Sequence, residues 1–299
     1  MGCVARAGMP TLKVGKKYCS SAGETSMTRL GLIAGNGRFP LIFTEAAQAE
    51  GVEIVAVAHE GETPSEIATL VPTVTWIHVG ELGKMLDTFH RAGITQAVMA
   101  GGISKAGALA HFQPDARGMA FISRLSSLKD DVILRGVAQE LESDGIVVVE
   151  STRFLSSLLP HDGVLTTTEP DTQQWDDIRF GFTVAKEIGR WDIGQSVVVK
   201  RGTVLAVEGV EGTNATIRRG GTLGGAGTVI VKVSKPQQDL RFDVPAVGPE
   251  TIAMMQEVKA SILAVESGKT LMLDKPLLLQ AANVAGIGIV ALTEVNKSL

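Results

Sequence analysis

Residues 29–58 read RLGLIAGNGRFPLIFTEAAQAEGVEIVAVA, and the fold class turns on how this stretch is parsed. Arg29–Ala34 is a short apolar run that stops at Gly35-Asn36-Gly37. Leu41–Glu50 then carries apolar residues at helical spacing, and Val52–Ala58 is apolar again. Strand, glycine turn, helix and second strand make a β–loop–α–β unit. The alternation continues downstream. Val74–Val79, Gln96–Ala100 and Ile146–Val149 read as strands, and Leu82–Ala92 and Val132–Ser143 as helices. Strands separated by helices of this length predict a parallel sheet with right-handed crossovers. Residues 28–157 are therefore expected to form a Rossmann-like N-terminal domain.

The pattern loosens over 158–170, where Pro160, His161, Asp162 and Gly163 mark a linker. Residues 171–299 read as a second α/β domain with a mixed sheet. A helix runs from Asp171 to Gly189, and Ser196–Lys200 and Thr203–Glu208 form a hairpin about Arg201-Gly202. Ala215–Arg219 reads as a helical turn, Val229–Val233 as a strand and Glu250–Ser267 as one long helix. Leu271–Leu273 is a strand, Lys275–Ala285 a helix beginning at Pro276, and Gly288–Leu292 the closing strand.

Composition narrows the function classes. With 44% hydrophobic and 20% charged residues, the chain has the balance of a globular protein. A net charge of −4 supplies no global field for nucleic acid, so no nucleic-acid partner is expected. The two cysteines, Cys3 and Cys19, cannot build a disulfide framework or a cysteine zinc site, which suits a reducing, cytoplasmic setting. Apolar runs such as Val229–Val233 fall far below the ~20 residues that cross a bilayer. Residues 1–27 lack periodicity and read as a disordered extension, or else 1–26 lie ahead of a true start at Met27.

Three groups of residues bear on chemistry. Gly35-Asn36-Gly37 ends the first strand just before a helix, where backbone N–H groups can meet a phosphate. Arg38-Phe39-Pro40 follows in place of the third glycine of a dinucleotide fingerprint, and no Lys-Ser/Thr makes a P-loop. Gly101-Gly102 closes another strand, with Lys105 a cation shortly after. Asp130-Asp131 precede a helix, where dipole and capping roles suffice to explain one of them. In the second half, Asp192 and Gln195 precede a strand, and Glu208, Glu211, Gly212 and Thr213 follow one. Lys232, Lys235, Arg241 and Asp243 come next. Cations that meet phosphoryl oxygens, beside carboxylates that hold a hard ion, are what a magnesium–diphosphate site needs. Arg241 and Asp243 flank Phe242 and would share one face of an extended segment, where a simple ion pair is the plain alternative. The five histidines lack metal-ligand spacing and suit surface positions.

In order, LGLIAGNGRFP (30–40), PDARG (114–118), DDVILR (130–135), WDIGQ (191–195), LAVEGVEGTNATIRR (205–219) and KPQQDLRFDVPAVG (235–248) resemble the UDP-2,3-diacylglucosamine pyrophosphatases of lipid A biosynthesis, in their two-domain, magnesium-dependent form. The resemblance runs from about Arg29 to the C-terminus. It implies that a lipid-linked sugar diphosphate binds between the domains and is hydrolysed with Mg²⁺ to UMP and 2,3-diacylglucosamine 1-phosphate. The essential aspartate of that family, in Arg-x-Asp-x-Pro, falls on Asp243, which is expected to be both catalytic and a metal ligand. Candidate substrate-binding residues are Gly35, Asn36, Gly37, Phe39, Pro40, Gly101, Gly102, Lys105, Asp131, Gln195, Glu211, Gly212, Thr213, Lys235 and Arg241. The family often has aspartate where this chain has Asn214, so Asn214 is left out of the metal ligands. The expected partner is the acylated UDP-sugar, with peripheral contact at the inner membrane and a homodimer left open. Two other readings, a nicotinamide-dependent oxidoreductase and a nucleotide-sensing module, remain. The first lacks the glycine fingerprint, although Glu60 and Glu62 offer an acidic residue after the second strand; the second gives Lys235, Arg241 and Asp243 no purpose.

Overall fold

A computed structural model of the chain describes Met1 and residues 28–104, 110–127, 129–241 and 243–293. The expectations for the N-terminal extension and for Lys105 lie outside the described residues.

The first half is built on five parallel strands: β1 (Arg29–Ala34), β2 (Glu53–His59), β3 (Thr73–Ile77), β4 (Gln96–Ala100) and β5 (Val147–Val148). Their spatial order is β3-β2-β1-β4-β5. The helices between them are α1 (Phe39–Ala49), α2 (Ile67–Leu70), α3 (Leu82–Arg91), α4 (Ala116–Arg124) and α5 (Asp130–Ser143). Alternate residues of each strand serve opposite faces. Ile54, Ala56 and Ala58 pack with Leu30, Leu32 and the α1 residues Phe39 and Phe43. Val55 and Val57 pack with Met85, Leu86 and Phe89 of α3 and with Leu141 of α5. A sheet covered by helices on both faces needs continuous apolar strands, and this is what made the segment legible.

The second half carries a six-stranded sheet in the order β6-β13-β11-β9-β7-β8. Its strands are β6 (Gly163–Val164), β7 (Ser196–Lys200), β8 (Thr203–Val207), β9 (Val229–Lys232), β11 (Ile262–Glu266) and β13 (Gly288–Leu292). The small pair β10 (Ala246–Val247) and β12 (Leu271–Met272) stands apart from it. The helices are α6 (Thr172–Arg190), α7 (Thr213–Gly224), α8 (Pro249–Glu257) and α9 (Lys275–Ala285). β9, β11 and β13 run parallel, whereas β7 is antiparallel to both β8 and β9, so the sheet is mixed. The segment read as a linker contributes β6, which pairs antiparallel with β13 at the sheet edge.

Two sequence expectations are corrected. Glu250–Ser267 is not one helix: α8 ends at Glu257, Lys259 takes a left-handed φ of 57°, and Ile262–Glu266 is a buried strand. A fully buried apolar strand lacks the alternation that would separate it from a helix. Ala215–Arg219 is part of a full helix, α7, whose C-terminal glycines lowered its apparent propensity. The two halves pack against each other. Leu271 joins the apolar cluster around α1, and Val244, Ala246 and Leu273 lie against it.

Candidate active site

The glycine loops meet where β1 and β4 lie side by side and the strand order reverses, the crevice position of open α/β sheets. Gly35 N–H donates to the Ala100 carbonyl at 2.8 Å and Asn36 N–H to the Gly102 carbonyl at 2.7 Å. A Cβ on Gly35 would stand 2.3 Å from the Gly102 oxygen, so glycine is required there by the neighbouring loop. Gly37, at φ 75°, faces open space. Glu62 gathers both loops. Its carboxylate accepts from Asn36 Nδ2 at 2.9 Å, from Ser104 N–H at 2.9 Å and from Ser104 Oγ at 2.6 Å. Burial pushes the Glu62 carboxyl up, but these hydrogen bonds outweigh it and hold the pKa below the ordinary value. Phe39 and Pro40, two substrate candidates, are buried in the first turn of α1 on its core side.

A second group assembles at one end of the mixed sheet, where β7 begins and β8 and β9 end. Ser196 stands in register with Lys232. Gln195 N–H donates to Glu208 Oε2 at 3.2 Å, and the Thr213 hydroxyl donates to Glu208 Oε1 at 2.9 Å. Lys232 Nζ donates to Thr213 Oγ1 at 2.9 Å. The Thr213 hydroxyl hydrogen is thus committed to Glu208, and what Thr213 has left for a ligand is its backbone at the start of α7. Lys235 Nζ donates to Asp192 Oδ1 at 2.6 Å, and its backbone N–H to Gln238 Oε1 at 2.8 Å. The buried Gln195 Oε1 has no hydrogen-bond partner among the described residues.

Asp243 faces this group. Burial pushes its carboxyl above the ordinary range, Gln238 and Lys235 pull it down, and Asp130 and Asp131 push it up again. Those two aspartates open α5 in the first half, so the Asp243 loop lies against the other domain. Arg135 secures the contact. It binds Asp131 at 2.8 Å on its own helix and donates to the Gln237 carbonyl at 2.8 Å across the cleft. Lys232, 7% exposed, is lowered by burial, against which the charges of Glu208 and Asp243 work.

Not every candidate joins one cluster. Arg241 and Asp243 do not share a face of an extended segment. The Asp243 N–H closes a turn onto the Asp239 carbonyl at 3.0 Å, and Arg241 pairs with Asp239 at 2.8 Å and Glu142 at 2.9 Å. Glu211 binds Arg219 at 2.6 Å, and Gly212, at φ 80°, precedes α7. His59 also departs from the surface position expected of it. Its Nδ1 lies 2.9 Å from the Ala34 carbonyl and burial lowers its pKa. The structure adds Glu62, Gln238 and Arg135, and it joins Asp192, Glu208 and Lys232, read in the sequence beside Lys235 and Asp243, into one network. Lys232 had a visible signal, a lysine closing the otherwise apolar strand VIVK.

Among the described residues, no group of three or more His, Cys, Asp or Glu could hold a metal ion. Mg²⁺ commonly takes one or two carboxylates and completes its shell with substrate phosphates and water. Asp243, a carboxylate facing Lys232 and Lys235, is a group of the kind that mode uses.

Comparison with known proteins identifies the family. Residues 29–158 match the LpxI N-terminal domain and residues 161–290 the LpxI C-terminal domain. The chain is 32% identical over 272 residues to a Caulobacter vibrioides protein named UDP-2,3-diacylglucosamine pyrophosphatase LpxI, covering 87% of this chain and 96% of that one. Solved structures align only remotely. The biotin carboxylase domain of Hydrogenobacter thermophilus 2-oxoglutarate carboxylase aligns at TM-score 0.25 and 14% identity, over 59% of this chain and 36% of that chain. The biotin carboxylase subunit of pyruvate carboxylase aligns at TM-score 0.25 and 12% identity, over 62% and 39%. Likeness at that level carries no argument about chemistry. With both of its domains matched in order and a relative similar over nearly its whole length, the chain belongs to the LpxI family.

Proposed function

We propose that this protein hydrolyses the diphosphate of UDP-2,3-diacylglucosamine, releasing UMP and 2,3-diacylglucosamine 1-phosphate, as a step of lipid A biosynthesis. The observation that carries the reading is Asp243. Its carboxyl faces Lys232, Lys235 and Gln238 from one domain and Asp130 and Asp131 from the other, in a chain similar throughout to the LpxI relative. Water adds to one phosphorus, the bridging P–O bond breaks, and the proton from water ends on the phosphate products. Negative charge grows on the phosphoryl oxygens as this happens, and fixed cations nearby stabilise it most where water is excluded. Lys235, held by Asp192, is the cation best placed to meet it, and Asp243 orients the water or holds the metal. Mg²⁺, when bound, would neutralise diphosphate charge as a Lewis acid. The glycine loops would lie along the polar part of the ligand through the open backbone at Gly37.

Among the described residues, no helix is long and apolar enough to cross a membrane. The acyl chains of the substrate belong in a bilayer, and we propose that the protein meets it by peripheral contact with the inner membrane. The test is direct. Purified protein, Mg²⁺ and the acylated UDP-sugar should yield UMP together with the acylated sugar phosphate, and a chelator should stop it. Absence of UMP from folded protein with metal present would reject the reading.

A further inference from the structure

Lys232 ends β9, whose other residues Val229–Val231 are apolar and buried. Lysine ammonium groups are rarely buried to this degree without an ionic partner, because removing the charge from water is costly. Two carboxylates face it, Glu208 at the end of β8 and Asp243 in the loop that follows β9. The hydrogen bond recorded for its Nζ goes to neither of them but to Thr213 Oγ1, and that hydroxyl in turn donates to Glu208. Ser196 Oγ lies 3.4 Å from the same hydroxyl. A lysine kept only to neutralise Glu208 would gain most from direct contact. Here a hydroxyl is interposed, and the ammonium, which has three donors, stands between the start of α7 and Asp243.

We propose that Lys232 is a positioning residue for diphosphate cleavage: bonded to Thr213 and set between Glu208 and Asp243, it fixes the first turn of α7 and the Asp243 carboxylate about one point. The proposal rests on the function proposed above. The competing account is that Lys232 matters only for folding, as the counter-charge of Glu208.

The two accounts separate in a pair of variants. Lys232→Met leaves Glu208 buried without its counter-charge and should lower the melting temperature. Lys232→Met combined with Glu208→Gln removes both charges together with the Lys232–Thr213 hydrogen bond, leaves no buried charge unpaired, and should recover part of that loss. Positioning predicts that the folded double variant binds the acylated UDP-sugar with a near-normal KM and turns it over about 10²-fold more slowly, the scale of removing one preorganised charge-stabilising group. Near wild-type kcat in the folded double variant would overturn the proposal and leave the function standing. A rise in KM with kcat unchanged would overturn it too, by making Lys232 a plain binding group. If wild-type protein releases no UMP, the function falls first and this role falls with it.

Discussion

The cluster around Gly35 and the cluster around Asp243 each occupy one end of a sheet, yet they are held together by different means. In the first, main chain meets main chain: Gly35 and Asn36 donate to the carbonyls of Ala100 and Gly102, and one carboxylate, Glu62, ties the loops from outside. In the second, side chains meet side chains, with Lys232, Glu208, Asp192 and Lys235 paired directly or through Thr213. The first arrangement fixes a shape and the second fixes a field. Diphosphate cleavage draws on both, but only a field can answer charge that develops during the reaction. Changes to the second cluster should therefore register in turnover, and changes to the first in stability and binding.

The strongest test of that division is Asp243→Asn. The side chain keeps its size and loses its charge at the point where Lys232 and Lys235 face it. Turnover should fall by ~10²–10⁴-fold, the range for a positioned acid–base or charge-bearing group. Binding of an anionic lipid should survive, because a negative charge has been removed. UMP release and lipid retained by the purified variant, measured together, decide it. Near-normal turnover would move the chemistry away from Asp243.

The first cluster should respond in the opposite way, and its two glycines should differ from each other. A Cβ at Gly35 would press on the backbone of Gly101 and Gly102, 2.3 Å from the Gly102 oxygen. Because the clash is with backbone, Gly35→Ala should cost about 3 kcal/mol, the upper end of what overpacking costs, with kcat per folded molecule largely kept. Gly37→Ala meets no atom of the described residues within 4 Å, and its φ of 75° opposes the change. A cost of about 1 kcal/mol follows for a non-glycine residue in the left-handed region. Urea midpoints for the pair should separate clearly. Equal midpoints would mean that the Gly35 and Gly101 loops are not packed as described.

The same contrast explains what could be read from the sequence. Shape was legible wherever periodicity and glycine placement sufficed. β1, β4, α9 and β13 stand at the residues read for them, and the parallel first sheet followed from strand–helix alternation. Reading failed at Ile262–Glu266, where a strand buried on both faces has no alternating pattern to distinguish it from helix. The field was harder to see, because it depends on which strand ends become neighbours. Glu208, Lys232 and Asp243 could be read as groups near strand ends, but that Glu208 and Lys232, 24 residues apart, join through Thr213 depends on the strand order β9-β7-β8. Glu62 is one of the two acidic residues that follow the second strand, where an oxidoreductase reading would use one. It turns inward to the loops instead, since Asn36 and Ser104 offer three donors within 2.9 Å.

The smallest effect expected is also the one that tests how the first cluster is held. Burial raises the pKa of Glu62, but hydrogen bonds from Ser104 and Asn36 outweigh it, so the folded pKa lies below the ordinary value. A depressed carboxyl contributes stability that is fully present above its unfolded pKa, near 4.3 in model peptides, and lost as pH falls through the folded one. Wild-type protein should therefore exceed Glu62→Gln in stability at neutral pH, and the difference should shrink below about pH 4 as the carboxylate is protonated. Glu62 is open to solvent on one side, and screening limits the neutral-pH difference to about 1 kcal/mol or less. The amide of the variant can still accept one of the hydrogen bonds, which reduces the difference further. Denaturation midpoints for both proteins at pH 7 and in mild acid give the comparison. A difference that persists unchanged into acid would show that Glu62 acts by packing and not by its charge. No difference at neutral pH would show that the backbone bonds between Gly35, Asn36, Ala100 and Gly102 hold the loops without it.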